Sequence, residues 1–226
     1  MGTLLLIRHG RTDANANGIL AGRTPGVVLD EVGKTATQEL ALRLQGIKIA
    51  RVISSPLERT LETAGILFDN EVEVASEARL LECDYGDWQG AKLSELSTHE
   101  LWPIVQQRPD EMIFPNGESM NDMSKRACEA VREWDTQLTA EHGDNVVWAA
   151  VSHGDIIKAI CADAMGLPLR KFQSLMIEPA SVSVVHYSDS GSAVSKLNDT
   201  GSEWLTKLND KAIKSSTLGG ESGAEN

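Results

Sequence analysis

The sequence predicts an α/β fold, a three-layer αβα sandwich built on a mostly parallel central sheet. Three observations predict it. Short runs are apolar on both faces, segments of helical spacing alternate with them, and two of the runs end in a histidine followed by glycine. The first run, Leu4 to Ile7, reads as a buried strand. After Asp30, the residues Val32, Ala36, Leu40 and Leu44 recur at helical spacing and mark a helix with one face on the sheet. Arg51 to Ser54 is the second strand. Ser55-Pro56-Leu57-Glu58 then combines a capping serine, a first-turn proline and a capping-box glutamate, so a helix is expected from about Pro56 to Phe68.

Glu71 to Ala75 reads as a third strand. From Glu82 to Gly117 periodicity lapses around Trp88, Trp102, Pro103, Pro109 and Pro115, which predicts an irregular excursion suited to a substrate lid. A helix follows Ser119, with Met123, Ala127, Val131, Trp134 and Leu138 on its apolar stripe. Strands are expected again at Asn145 to Ser152 and Ser181 to Tyr187. From Ser188 onward Ser, Gly, Asp, Lys and Asn dominate, and such a composition buries little. The expected organisation is therefore one domain over 1–208 and a mobile tail over 209–226.

Composition narrows the function. With 41% hydrophobic and 24% charged residues among 226, the chain can build one sizeable core. Its net charge of −12 argues against nucleic-acid and membrane-surface partners. The longest apolar run, Val146 to Val151, is far below the roughly 20 residues of a spanning helix. Leu4 to Ile7 runs straight into Arg8 and His9 without a secretory h-region, so a cytoplasmic location is expected. Cys83, Cys128 and Cys161 lack CxxC spacing and read as buried free thiols.

Chemistry concentrates at strand ends. Arg8-His9-Gly10 closes the first strand, placing a guanidinium, an imidazole and a closely approachable backbone at a carboxyl edge, where open α/β sheets bind ligands. Arg59 falls in the first turn of the helix after the second strand, where helix N–H groups also favour an anion. Ser152-His153-Gly154 repeats the strand, histidine, glycine arrangement. Either histidine alone reads as structural; the repetition makes both candidates. Other common nucleophile and metal-site patterns do not occur. No cysteine is followed six positions later by arginine, since Gln89, Trp134 and Leu167 stand there, and His99, His142 and His186 lack metal-ligand spacing.

These blocks resemble the histidine phosphatase superfamily, the phosphoglycerate mutase-like proteins. The matching residues are Arg8-His9-Gly10 with Asn15, Ser54-Ser55-Pro56 with Arg59 and Thr60, and Leu81-Glu82 with Gly86-Asp87-Trp88-Gln89-Gly90. Pro115 with Gly117-Glu118-Ser119 and Ser152-His153-Gly154 complete them, in the family's order. The resemblance implies that His9 is the nucleophile taking up a phosphoryl group. It implies that Arg8, Arg59 and His153 hold the phosphoryl oxygens, with Asn15, Gly22 and Gly154 in the phosphate and substrate site. Glu82 is implied as the general acid and base. No metal or other cofactor is implied, and the partner is a small phosphorylated metabolite; the motifs say nothing of oligomeric state.

Within the resemblance, hydrolysis is favoured over phosphoryl transfer. Ala21 precedes Gly22 where mutases usually carry threonine, Tyr85-Gly86-Asp87-Trp88 is similar to the phosphatase branch, and the paired arginines of mutases are reduced to Arg108. Lys92 and Arg108 keep a carboxylate or second phosphate possible, so a phosphomutase is the alternative. A silent phospho-ligand binding module ranks third, because every key position is intact.

Overall fold

In the computed structural model, residues 2–69, 72–201 and 218–219 are described. The chain runs β1 (Thr3–Arg8), α1 (Asp13–Ala16), α2 (Glu31–Leu44), β2 (Val52–Ser54), α3 (Glu58–Phe68) and β3 (Val74–Ser76). The excursion carries α4 (Leu93–Leu96) and α5 (Trp102–Gln107). Then come α6 (Met120–His142), β4 (Val147–Ser152), α7 (Gly154–Ala164), β5 (Val182–Ser188) and β6 (Gly191–Asp199). Among the described residues, six strands form one sheet in the order β3-β2-β4-β1-β5-β6. The first four are parallel, β5 runs antiparallel to β1, and β6 antiparallel to β5.

The double-sided apolar runs become a sheet covered on both faces. Leu4 and Leu6 of β1, Ile53 of β2, and Trp148 and Ala150 of β4 pack with α6 and α7 residues such as Met123, Val131, Ile156 and Ile160. Their neighbours along the strands point the other way: Leu5, Ile7, Val52, Ala149 and Val151 pack with Leu40 of α2 and Ala64, Leu67 and Phe68 of α3. This two-residue alternation is what a pleated strand requires, and it produces the three layers. Two helix starts follow their sequence signals. Asp30 accepts the Gly33 N–H at 2.7 Å and Ser119 accepts the Asp122 N–H at 3.0 Å, caps worth about 1 kcal/mol each.

Four expectations change. The serine cap at 55 is not formed: Ser55 stays paired with β4 through its N–H to Val151 O at 3.0 Å, and its hydroxyl meets His153 Nε2 at 2.8 Å. The chain therefore turns later, and α3 starts at Glu58 with Leu57 in the capping position and no side-chain cap. The third strand, expected over 71–75, is Val74–Ser76 among the described residues, an edge strand with little burial; Glu71 lies outside them. The chain after Ser188 buries little, as expected, but it also pairs with β5 as the edge strand β6, which the sequence does not announce. The tail expected over 209–226 lies outside the described residues, except Leu218 and Gly219, and Leu218 is buried. No helix of the described residues is long and apolar enough to cross a membrane.

Candidate active site

Three adjacent parallel strands deliver the site. Because β1 pairs with β4 in the register Arg8↔Ser152, the two His-Gly steps leave the sheet side by side, tied by the His9 N–H to Ser152 O at 3.0 Å. On the far side of β4, β2 ends at Ser54 and releases the chain toward α3, whose second residue is Arg59. Gly10 lets the turn after β1 lie against α2: a Cβ there would meet Thr37 Oγ1 at 2.6 Å and Gly33 O at 2.8 Å.

The side chains so gathered are buried and mostly cationic or basic. Arg8 and His153 are fully buried, Arg59 is 2% exposed and His9 3%. Partners fix both imidazole tautomers. His9 Nδ1 lies 2.7 Å from Gly10 O and must donate to it, so the lone pair is on Nε2, which accepts from Arg59 Nε at 3.2 Å. His153 Nδ1 lies 3.2 Å from Arg59 Nη2, which only donates, so its Nε2–H points to Ser55 Oγ at 2.8 Å. Burial, reinforced by Arg59 and Arg8, holds His9 well below the ordinary histidine value. Burial and Arg59 do the same for His153. Both rings are neutral at pH 7, and their centroids are 5.3 Å apart.

Arg59 is the centre of the group. Beyond its contacts to the two histidines it donates from Nη2 to Gly22 O at 2.7 Å, and Nη1 is buried with no hydrogen-bond partner among the described residues. Gly22 accepts this role with φ +52, and a Cβ there would meet Gln89 Oε1 at 2.6 Å. Arg8 is anchored through Nη1 to Ile177 O at 2.6 Å and reaches Gly219 O from Nη2 at 3.2 Å. A buried guanidinium donor without a partner, between two neutral imidazoles, suits an anion.

A cleft opens over these groups, lined by His9, Thr12, Asn15, Gly22, Arg59, Glu82 and Tyr85. Glu82 is 4% exposed, and one oxygen accepts the Cys83 N–H at 3.0 Å. Burial first, and then the nearby Asp155, push its carboxyl up to about 7, against the opposing pull of Arg59. Asp155, fully buried on α7, accepts from Tyr85 OH at 2.8 Å and from the Gly219 N–H at 3.0 Å.

Of the residues singled out in the sequence, His9, Asn15, Gly22, Arg59 and Glu82 line one cleft; His153 touches Arg59, Arg8 reaches the cleft-lining Gly219, and Gly154 is buried at the first position of α7. Asn15 Oδ1 is committed to the Thr12 N–H and hydroxyl, leaving its amide nitrogen as donor. Arg108 is not brought in: it donates to Glu111 at 2.7 Å and is half exposed. Lys92 is exposed at the start of α4. Sequence reading missed Leu218 and Gly219, which line the cleft, and Tyr85 and Asp155, whose bond spans from the cleft to α7. A leucine inside a Ser/Gly-rich segment was the available signal. Among the described residues no group of three or more His, Cys, Asp or Glu is placed to hold a metal ion.

Comparison with known proteins places this geometry in a context. A model of the histidine phosphatase superfamily (branch 1) matches residues 4–200. The chain is 31% identical over 205 residues to phosphoserine phosphatase 1 of Hydrogenobacter thermophilus, covering 87% of this chain and 92% of the relative. It is 30% identical over 184 residues to the 2,3-bisphosphoglycerate-dependent phosphoglycerate mutase of Thermoplasma acidophilum, covering 80% and 85%. Among solved structures, Bacillus stearothermophilus YhfR superposes with a TM-score of 0.79 at 27% identity, covering 88% of this chain and 98% of the other.

Proposed function

We propose that this chain, which belongs to the histidine phosphatase superfamily, hydrolyses small phosphomonoesters through a phosphoryl group carried on His9. The observation that carries the reading is Arg59, a buried cation that touches both imidazoles and keeps one N–H free of any partner among the described residues. At an effective dielectric near 20, a unit charge about 4 Å from a guanidinium gains about 4 kcal/mol. The chain's net charge of −12 therefore slows encounter with polyanions more than it weakens a small phosphate once bound.

In the first half-reaction the His9 Nε2 lone pair attacks phosphorus as the bond to the ester oxygen breaks. Gly10 O holds the proton on Nδ1, so Nε2 is the free nitrogen. The 3.2 Å Arg59 Nε contact is exchanged for a phosphoryl oxygen, and Arg8 and Arg59 balance the charge on the transferring group. His153 exchanges its Ser55 bond for another oxygen, and Asn15 and the backbone at Gly22 and Gly154 orient the phosphate. Glu82, protonated near neutral pH, gives its proton to the leaving alcohol. As a carboxylate it then takes a proton from the water that attacks the phosphohistidine, releasing inorganic phosphate and restoring both groups.

Hydrolysis is favoured over mutation because a mutase must hold its first product in place, and Arg108 is turned to Glu111 instead. The substrates fitting the cleft are small phosphorylated metabolites; a cytoplasmic setting and no nucleic-acid partner accompany this reading. The catalytic domain is assigned to 1–208 on this reading, with Leu218 and Gly219 of the following segment also lining the cleft. Rapid quenching with labelled substrate is expected to trap an acid-labile, alkali-stable phosphoryl group that His9→Ala abolishes. Label that survives in His9→Ala, or that sits on serine, aspartate or cysteine, ends the assignment, and binding without turnover supports the silent module.

A further inference from the structure

The acid side of the cleft contains an ion network that the mechanism above does not use. Glu82 lies on a stretch without helix or strand, between the 3-10 turn Ala78–Leu80 and the next at Gly86–Trp88. Its main-chain carbonyl accepts from two guanidinium groups, Arg23 Nε at 2.9 Å and Arg126 Nη2 at 3.2 Å. Arg126 also holds the preceding carbonyl, Leu81 O, at 2.8 Å. Glu118 joins the two arginines: its Oε1 accepts from Arg23 at 2.9 Å and from Arg126 at 2.5 Å, while Oε2 accepts from Arg126 Nε at 3.0 Å. The same Oε1 takes the Asp84 N–H at 2.8 Å, so both sides of Glu82 are pinned.

We propose that Arg23, Glu118 and Arg126 form a clamp that positions Glu82 for proton transfer to the leaving group, with Arg23 joining the acid loop to the phosphate cradle. Arg126 projects from the 23-residue helix α6, the longest rigid element described, and supplies the fixed base. Arg23 supplies the link. Its N–H donates to Gln89 at 2.6 Å, and the residue before it, Gly22, accepts from Arg59 at 2.7 Å. A shift of the phosphate-binding guanidinium is thus passed through one peptide to the carbonyl of the acid. The three are positioning residues, because none touches the reacting atoms. Among the described residues Glu82's own carboxylate is anchored by the Cys83 N–H alone, so its place depends on where its backbone is held.

The proposal rests on Glu82 being the general acid, and the experiment separates the two. Rates are measured for aryl and alkyl phosphomonoesters spanning leaving-group acidity, in Arg23→Gln, Glu118→Gln, Arg126→Lys and Glu82→Gln. In Arg23→Gln and Glu118→Gln, kcat for alkyl esters is expected to fall about tenfold while an activated aryl phosphate stays within about twofold. Arg126→Lys, keeping one donor, is expected to lose less. Arg23 is 29% exposed and its replacement tests the clamp even if Glu118→Gln does not fold. Equal losses on every ester, or none, in the clamp variants overturn the proposal provided Glu82→Gln keeps a leaving-group-dependent defect. Equal losses in Glu82→Gln itself overturn the acid assignment first.

Discussion

The two sides of the cleft are built by different means. The phosphate side stands on backbone register: β2, β4 and β1 are hydrogen-bonded neighbours, so Ser55, His153 and His9 are placed by the sheet itself. The acid side has no ladder under it. Glu82 sits on an irregular loop, and guanidinium and carboxylate side chains do the holding that strands do opposite. The comparison teaches that anion binding is hard to perturb without deleting a residue that touches the anion, whereas proton transfer is exposed to changes at a distance.

The largest expected effect lies on the sheet side. Arg59→Met keeps the volume and removes the buried charge and the donors on both imidazoles. Loss of one preorganised donor costs roughly 10²–10³ in kcat, and kcat/KM is expected to fall at least that far on all esters alike. Stability is expected to fall less than activity: burial disfavours the Arg59 charge, and its loss offsets part of the cost of leaving Gly22 O and two imidazole nitrogens without their donor. A midpoint drop matching the loss of activity would make Arg59 a structural residue.

On the acid side the next effect is one of pH. Glu82 must be protonated to act first, and its value of about 7 places the alkaline limb of kcat/KM for alkyl esters near neutrality rather than near the usual glutamate range. Glu82→Gln is expected to erase that limb. Asp155→Asn removes a negative neighbour that favours the protonated form, so the limb should move toward acid pH. A limb that stays in place removes Asp155 from the account, and one that moves to alkaline pH reverses the sign of the argument.

How much of this was legible follows the same division. Strands buried on both faces announce themselves, so β1, β2, β4 and β5 and the His-Gly steps at two of their ends were readable from residues alone. Asp30 and Ser119 signalled their helices because a cap is a local bond. The edge was not readable: β6 is polar and largely exposed, and only its pairing with β5 makes it a strand. Ser55 looked like a cap, but its hydroxyl meets His153, a contact that depends on β2 lying beside β4. Glu118 belonged to a recognisable block, yet nothing in sequence placed it between Arg23 and Arg126, 95 and 8 residues away along the chain. Gly219 likewise meets Asp155 and Arg8 across 64 and 211 residues of chain.

The smallest expected effect separates hydrolysis from transfer. Arg108 is the remaining candidate for clamping a substrate carboxylate, but its guanidinium is paired with Glu111, which is itself also held by Arg170 at 2.6 Å. Bringing Arg108 to the cleft would break an exposed ion pair worth about 0.2–1 kcal/mol, too little to forbid the motion on energy alone. The discriminating quantity is therefore what the residue does in turnover. With 3-phosphoglycerate as substrate, the chain is expected to release inorganic phosphate without a bisphosphoglycerate primer, and Arg108→Ala should change that rate by less than about twofold. Primer-dependent interconversion of the 2- and 3-phosphates, lost in Arg108→Ala, would show that the arginine does enter the cleft and that the phosphoryl group on His9 returns to a bound alcohol rather than to water.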